Sequence, residues 1–307
     1  MRMWLWVLGV GLAVGLSGAR AAPSATSLAL DRFEARKLVV TLPNGQALAY
    51  VDMGKRDGTP VLLVHGYTDS ARDWVPLIPY LSGNLRLIVV DLRGHGRSGK
   101  PECCYTRYDF AYDLKLLLDH LGIARADVVG HSLGSMVAQI FGETWPERTN
   151  KLVLISSTGG PSAAATPAEL RARAAAFDYR GAIRALRDPI DPDSAFMLAW
   201  WSSPGYVDPV FLRRQREDAA RIPARVWLAI LDQGVGMAGL QATLPFLTEP
   251  TLLIWGEKDP IMLPEYRRTL MAALPGAELR VFPGLGHNPF WEKPREVGAV
   301  IDGFLAR

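Results

Sequence analysis

Five short, nearly continuous apolar runs constrain the fold of this chain more than any other feature. They are PVLLV at 60–64, RLIVV at 86–90, ADVV at 126–129, KLVLI at 151–155 and TLLIW at 251–255. A strand with one face in water alternates apolar and polar residues, whereas an unbroken apolar run belongs to a strand buried on both faces, as in a parallel sheet. Helical spacing of apolar residues appears between these runs. It covers Asp109 to Leu121, stopped by Gly122 as a C-terminal cap, then the segment after Ser132 through Glu143, a stretch around Tyr266 to Leu274, and Pro294 to Leu305. ELRVF at 278–282 adds a strand, and KLVVTLP with QALAYVDMG predicts a hairpin turning on a two-residue Asn44-Gly45 loop. Strands alternating with helices predict an α/β fold with a mainly parallel sheet.

One stretch interrupts the alternation. Residues 161–248 contain no convincing strand but several helical segments, one announced by the capping box Thr166-Pro-Ala-Glu169. A helical cap inserted into a core of 37–160 and 249–307 is expected. Its tryptophans at 200, 201 and 227 either pack the cap onto the core or line a pocket. Residues 22–36 read as a polar, Ala/Ser-rich linker.

The amino terminus has the pattern of an export signal over 1–21: Arg2, an apolar run from Met3 to Leu16, then Ala19-Arg20-Ala21 as a cleavage pattern. A periplasmic or extracellular location is expected, with an uncleaved membrane anchor as the alternative. The apolar run falls short of the ~20 residues that span a bilayer. Without the two arginines of that segment the chain carries 34 − 2 = 32 bases against 31 acids, a net +1. Near-neutrality gives no footprint for nucleic acid, and Arg213, Arg214 and Arg216 read as a solvated helix face. The two cysteines, Cys103 and Cys104, are neighbours; either two free thiols or a strained vicinal bridge fits them. They lack histidines at zinc-site spacing, so no metal is expected there.

Gly130-His131-Ser132-Leu133-Gly134 fits G-x-S-x-G with a strand before it and a helix after it. In that arrangement the serine occupies a sharp turn and its hydroxyl projects from the sheet. A serine hydroxyl needs a base to take its proton. Of the five histidines, at 65, 95, 120, 131 and 287, only His287 stands late enough in the chain for the order serine, acid, histidine. TLLIWGEKDP offers Glu257 and Asp259 as the acid, and Asp259, further out in the loop and fixed by Pro260, is favoured. Backbone N–H groups of Leu133 and Tyr67 are expected to receive the oxyanion. His65 is expected to shape its loop by hydrogen bonding.

HGYTDSARDW, DLRGHGRSGKP, GHSLG, IWGEKDP and GHNPFWEKP occur in that order, and together they make the chain resemble the α/β-hydrolase superfamily from about Leu38 to the end. The resemblance implies an eight-stranded sheet flanked by helices with a helical cap, Ser132, Asp259 and His287 as nucleophile, acid and base, and Tyr67 and Leu133 at the oxyanion positions. Ser135 stands where many relatives have a second glycine. Gly94-His-Gly-Arg-Ser-Gly99 also fits a dinucleotide fingerprint, but Lys100-Pro101 and the cysteines follow where a helix should open. The expectation is cofactor-free hydrolysis of a small, apolar ester through an acyl-enzyme. Lactone, carbon–carbon or amide cleavage and perhydrolysis are alternatives on the same triad, and a non-catalytic ligand receptor is the alternative outside enzymes. Phe196, Trp200 and Trp201, with Met197 and Tyr206, are the candidate pocket residues.

Overall fold

The structure, a computed structural model, describes residues 24–161, 168, 179–236 and 240–307. The expected export signal and the Thr166–Glu169 capping box lie outside the described residues, apart from Ala168. Eight strands form one sheet in the order β1-β2-β4-β3-β5-β6-β7-β8. They are β1 (Leu38–Thr41), β2 (Ala47–Gly54), β3 (Thr59–Val64), β4 (Leu85–Asp91), β5 (Ala126–His131), β6 (Thr149–Ile155), β7 (Thr251–Gly256) and β8 (Glu278–Phe282). Pairing is antiparallel from β1 through β2 to β4 and parallel from β4 to β8. Parallel strands need crossovers, and the helices Arg107–His120, Leu133–Thr144, Pro264–Ala273 and Pro294–Leu305 flank the sheet. The apolar runs fill its centre: Val61 to Val64, Val128, Val129, Leu152 to Ile155 and Leu252 to Trp255 are all buried.

The β1–β2 hairpin differs from expectation. Leu42 N–H donates to the Gln46 carbonyl at 2.9 Å and Gly45 N–H to the Leu42 carbonyl at 2.8 Å. The loop is therefore Pro43-Asn44-Gly45, with Gly45 at φ +82° in the left-handed region. Such a three-residue loop closes on glycine.

The expected linker is also corrected. Ala25–Ala35 is a helix whose Ser24 Oγ accepts from Ser27 N–H at 3.1 Å, and it buries Leu30 and Phe33. Thr26 donates to Asp208 at 2.6 Å and Arg214 pairs with Asp31 at 3.0 Å, fastening this helix to the helix Pro209–Ala220. Arg213 and Arg216 likewise pair with Glu217 and Asp193. These arginines are thus engaged by acids rather than gathered for an anion.

Between β6 and β7 the described residues form helices: Tyr179–Ala185, Ala195–Trp200, Pro209–Ala220, Ala224–Gln233 and Leu240–Thr243. Arg72 reaches Asp218 at 2.6 Å and Ser70 reaches the same carboxylate at 3.0 Å, so a buried ion pair joins these helices to the loop after β3. Cys103 and Cys104 are joined as a vicinal disulfide in the connection between β4 and the helix Arg107–His120. Among the described residues no helix is long and apolar enough to cross a membrane.

Candidate active site

Parallel strands of one sheet deliver their carboxyl ends to one edge, where such folds build their sites. Four loops meet there: Tyr67 follows β3, Ser132 follows β5, Asp259 follows β7 and His287 follows β8. Ser132 sits at φ 51°, ψ −116°, between strand and helix. This conformation costs an L-residue of the order of 1–3 kcal/mol and persists only when its surroundings impose it. The surroundings are two glycines. A Cβ on Gly130 would stand 2.3 Å from the Gly134 carbonyl oxygen, and a Cβ on Gly134 2.2 Å from that of Val64. Ser135, in the place of a further glycine, donates its hydroxyl to the Ser132 carbonyl at 2.6 Å.

His287 Nε2 lies 2.9 Å from Ser132 Oγ, and its Nδ1 lies 2.8 Å from Asp259 Oδ2. The other carboxylate oxygen, Oδ1, accepts from Ile261 N–H at 2.8 Å and Met262 N–H at 2.9 Å. Burial alone would push the Asp259 carboxyl up. The facing His287 and the two backbone donors outweigh it and hold the group below the usual carboxylate range. An ionised Asp259 fixes the proton on Nδ1, which leaves the Nε2 lone pair aimed at the serine hydroxyl. The His287 carbonyl is itself held by Ser156 Oγ at 2.7 Å and His131 Nε2 at 3.1 Å. Glu257, the competing acid, points elsewhere and accepts from Gly284 N–H at 2.9 Å.

Leu133 opens the helix after the serine, so its N–H is one of the unpaired donors at a helix N-terminus. Tyr67 lies on the cavity wall, and its hydroxyl donates to the Trp227 carbonyl at 2.6 Å. Thr68, at φ 69°, follows; its N–H donates to His95 Nε2 at 3.2 Å and its hydroxyl accepts from Trp200 Nε1 at 3.1 Å. His65 Nε2 accepts from Leu92 N–H at 3.0 Å. Burial lowers His65 to about 4 and drives His95 well below the ordinary imidazole value, so both are neutral braces of the loop. His95 belongs to the glycine-rich loop 94–99, which leads into a turn and the disulfide rather than a helix. The loop supports the site and lacks the helix N-terminus that a dinucleotide needs.

Ser132 and His287 open into a cavity of about 470 Å³. Tyr67, Tyr179, Trp200, Trp201 and Trp291 line it, with Met262, Ile261 and Leu231. Trp200 and Trp201 both face the cavity, and Trp200 also ties the cap to the Thr68 loop. Phe196 is corrected to a second layer: it does not line the cavity, and its ring packs 5.6 Å from Trp200 and 6.1 Å from Trp227. Met197 is fully buried and Tyr206 is 81% exposed, so neither lines the cavity. Sequence reasoning does not single out Asp69 and His131, which lie on the cavity wall, as a pair with Asp73 behind them. The two acids stand four apart in HGYTDSARDW, but nothing in the sequence says that His131 joins them.

The family model for the alpha/beta hydrolase family matches residues 61–300. A 2-hydroxy-6-oxononadienedioate/2-hydroxy-6-oxononatrienedioate hydrolase of Paraburkholderia phymatum is 29% identical over 283 residues, covering 88% of this chain and 96% of its own. The solved structure of Est816, an N-acyl homoserine lactone degrading enzyme, is 28% identical with a TM-score of 0.66, covering 85% of this chain and 98% of that one. The bromoperoxidase from Bacillus anthracis superposes with a TM-score of 0.74 at 22% identity, over 88% of this chain and 100% of its own; at that identity it speaks for the fold alone. The chain belongs to the alpha/beta hydrolase family, a family of enzymes.

Proposed function

We propose that the protein is a serine hydrolase that cleaves small, largely apolar carboxylic esters, cyclic ones included, through an acyl-enzyme. The observation that carries this reading is the chain of two hydrogen bonds, 2.9 Å from Ser132 to His287 and 2.8 Å from His287 to Asp259, at the mouth of an aromatic cavity. Ser132 Oγ attacks the ester carbonyl while His287 Nε2 takes its proton. The negative charge that develops on the carbonyl oxygen is received by the N–H groups of Leu133 and Tyr67. His287 returns the proton to the departing alkoxide, leaving Ser132 acylated. Water then gives a proton to His287 as its oxygen attacks the acyl carbon, and the acid is released when Ser132 regains that proton. No step calls on a metal or organic cofactor.

Two features support a neutral acyl group. The wall is largely apolar, with the rings of Tyr67, Tyr179, Trp200, Trp201 and Trp291 on it, and the acid Asp69 stands on the same wall, where it disfavours an anion. The likeness to Est816 favours lactones as the second substrate group, because ring opening of a lactone uses the same steps.

Hydrolysis of nitrophenyl esters of increasing acyl length, compared between the protein and Ser132→Ala, tests the proposal. Turnover that disappears in the variant is expected. Equal background in both proteins, together with tight ligand binding, would replace the enzyme reading with a receptor.

A further inference from the structure

Beneath the cavity floor three acceptor atoms converge, two of them without a donor. His131 Nε2 lies 3.1 Å from the His287 carbonyl, and a bond there requires the ring proton on Nε2. Its Nδ1 is then a bare lone pair. That lone pair faces Asp73 Oδ2 at 3.8 Å and Asp69 Oδ2 at 4.0 Å. Asp73 Oδ2 and His131 Nδ1 have no hydrogen-bond partner, and both side chains are at most 1% exposed. The separations are too long for a shared proton, since hydrogen bonds between such atoms close at ~2.5–3.2 Å.

The space between them is kept open by the backbone. A Cβ on Gly66 would sit 2.7 Å from Asp69 Oδ2 and 2.9 Å from His131 Nδ1, crowding the space between those two atoms. The ligating atoms of all three residues lie within 4.8 Å of one another. A point equidistant from three atoms so spaced is roughly 2.2–2.5 Å from each, a few tenths of an ångström beyond zinc–nitrogen and zinc–oxygen bonds of ~2.0–2.2 Å.

We propose that Asp69, Asp73 and His131 bind one divalent first-row cation of the zinc class beneath the cavity floor. The charge balances, because two carboxylates and one divalent cation sum to zero in a place where an unpaired charge is costly. The outer partners are those of a metal site. The second ring nitrogen of a ligating histidine commonly donates to a carbonyl, as His131 does. Trp291 Nε1 donates to the other oxygen of Asp73 at 2.6 Å. Asp69 and His131 both line the cavity, which gives the ion its way in. The ion lies outside the ester chemistry: it holds His131, and through it the His287 carbonyl.

The test is metal content and metal affinity, neither of which depends on turnover. Protein purified without chelators is analysed for bound metals, then stripped and titrated with Zn²⁺ and with Mn²⁺ while its Tm is followed. One equivalent per chain is expected, with a rise in Tm on titration. In Asp73→Asn, which keeps the size of the side chain, and in Gly66→Ala, which fills the gap and leaves every ligand in place, affinity is expected to fall by more than the about 10- to 100-fold that loss of an outer partner costs. Anomalous diffraction is expected to place the ion between the three residues. No bound metal and no shift in Tm up to millimolar metal would overturn the proposal, and so would undiminished binding in both variants. Should one variant fail to fold, the other and the diffraction peak still decide the matter.

Discussion

The two acids of IWGEKDP separate cleanly at the level of single residues. Asp259 has both oxygens engaged, by His287 on one and by two backbone N–H groups on the other, whereas Glu257 braces only Gly284. Asp259→Asn offers Nδ1 an amide in place of a carboxylate and no longer stabilises the imidazolium. Its kcat on a nitrophenyl ester is expected to fall about 10³- to 10⁴-fold with KM little changed. Glu257→Gln is expected to stay within a few-fold of the parent. Comparable losses in the two variants would remove Asp259 from its proposed role. Both acids are visible in the sequence because the motif keeps them in one loop, and the position of Pro260 is enough to rank them. The cluster of Asp69, Asp73 and His131 is not visible, because its parts come from two strand ends and meet only when β3 and β5 pair.

Elements show the same division between local and non-local information. The strands and the flanking helices are legible because each carries its own apolar period and its own stop signal; Gly122, at φ +64°, ends its helix as the cap residue should. The helix Ala25–Ala35 escapes because its apolar positions are few and its cap is a serine answered by Ser27 rather than by a glutamate. Within the cap the sequence shows which residues are aromatic but not their side, and the six-residue helix Ala195–Trp200 gives too little period to tell Phe196 from Trp200. Sidedness carries a prediction. Trp227 is fully buried and accepts the Tyr67 hydroxyl on its carbonyl, while Trp200 faces the cavity. Trp227→Ala is expected to cost about 3–5 kcal/mol in urea unfolding, as deletion of a buried tryptophan does. Trp200→Ala is expected to cost less and to move the preferred ester toward longer acyl chains. An unchanged length profile in Trp200→Ala would make that ring an adhesive of the cap alone.

At the scale of the whole molecule, two buried carboxylates give stability opposite dependences on pH. Asp91 closes β4 at a junction of the chain, where Lys37 reaches it at 2.9 Å, Ala71 N–H at 2.7 Å and Arg97 N–H at 2.9 Å. Burial would raise its pKa, but Lys37 and the backbone donors outweigh that and hold it below the ordinary value. A carboxyl with a depressed folded pKa contributes stability above its unfolded pKa, ~3.9, and loses it as pH falls through the folded value. Asp127, at the start of β5, is the reverse: burial raises it to about 6, only partly offset by Lys151 and Asn150. Its unfolded form is already ionised above pH ~4, so it destabilises the fold progressively between pH ~4 and its folded value, and fully above that. Asp91→Asn is therefore expected to lose about 3 kcal/mol at pH 7, as when one partner of a buried pair is removed, with the deficit shrinking below pH ~4. Asp127→Asn is expected to gain stability at pH 7, by at most about 3 kcal/mol for a shift of roughly two units, and to match the parent near pH 4. Urea unfolding of the parent and both variants at about pH 7, 5, 4 and 3 spans both windows, above pH ~4 for Asp127 and below it for Asp91. A constant difference across that range for either variant would mean that its carboxyl titrates alike in the folded and unfolded chain.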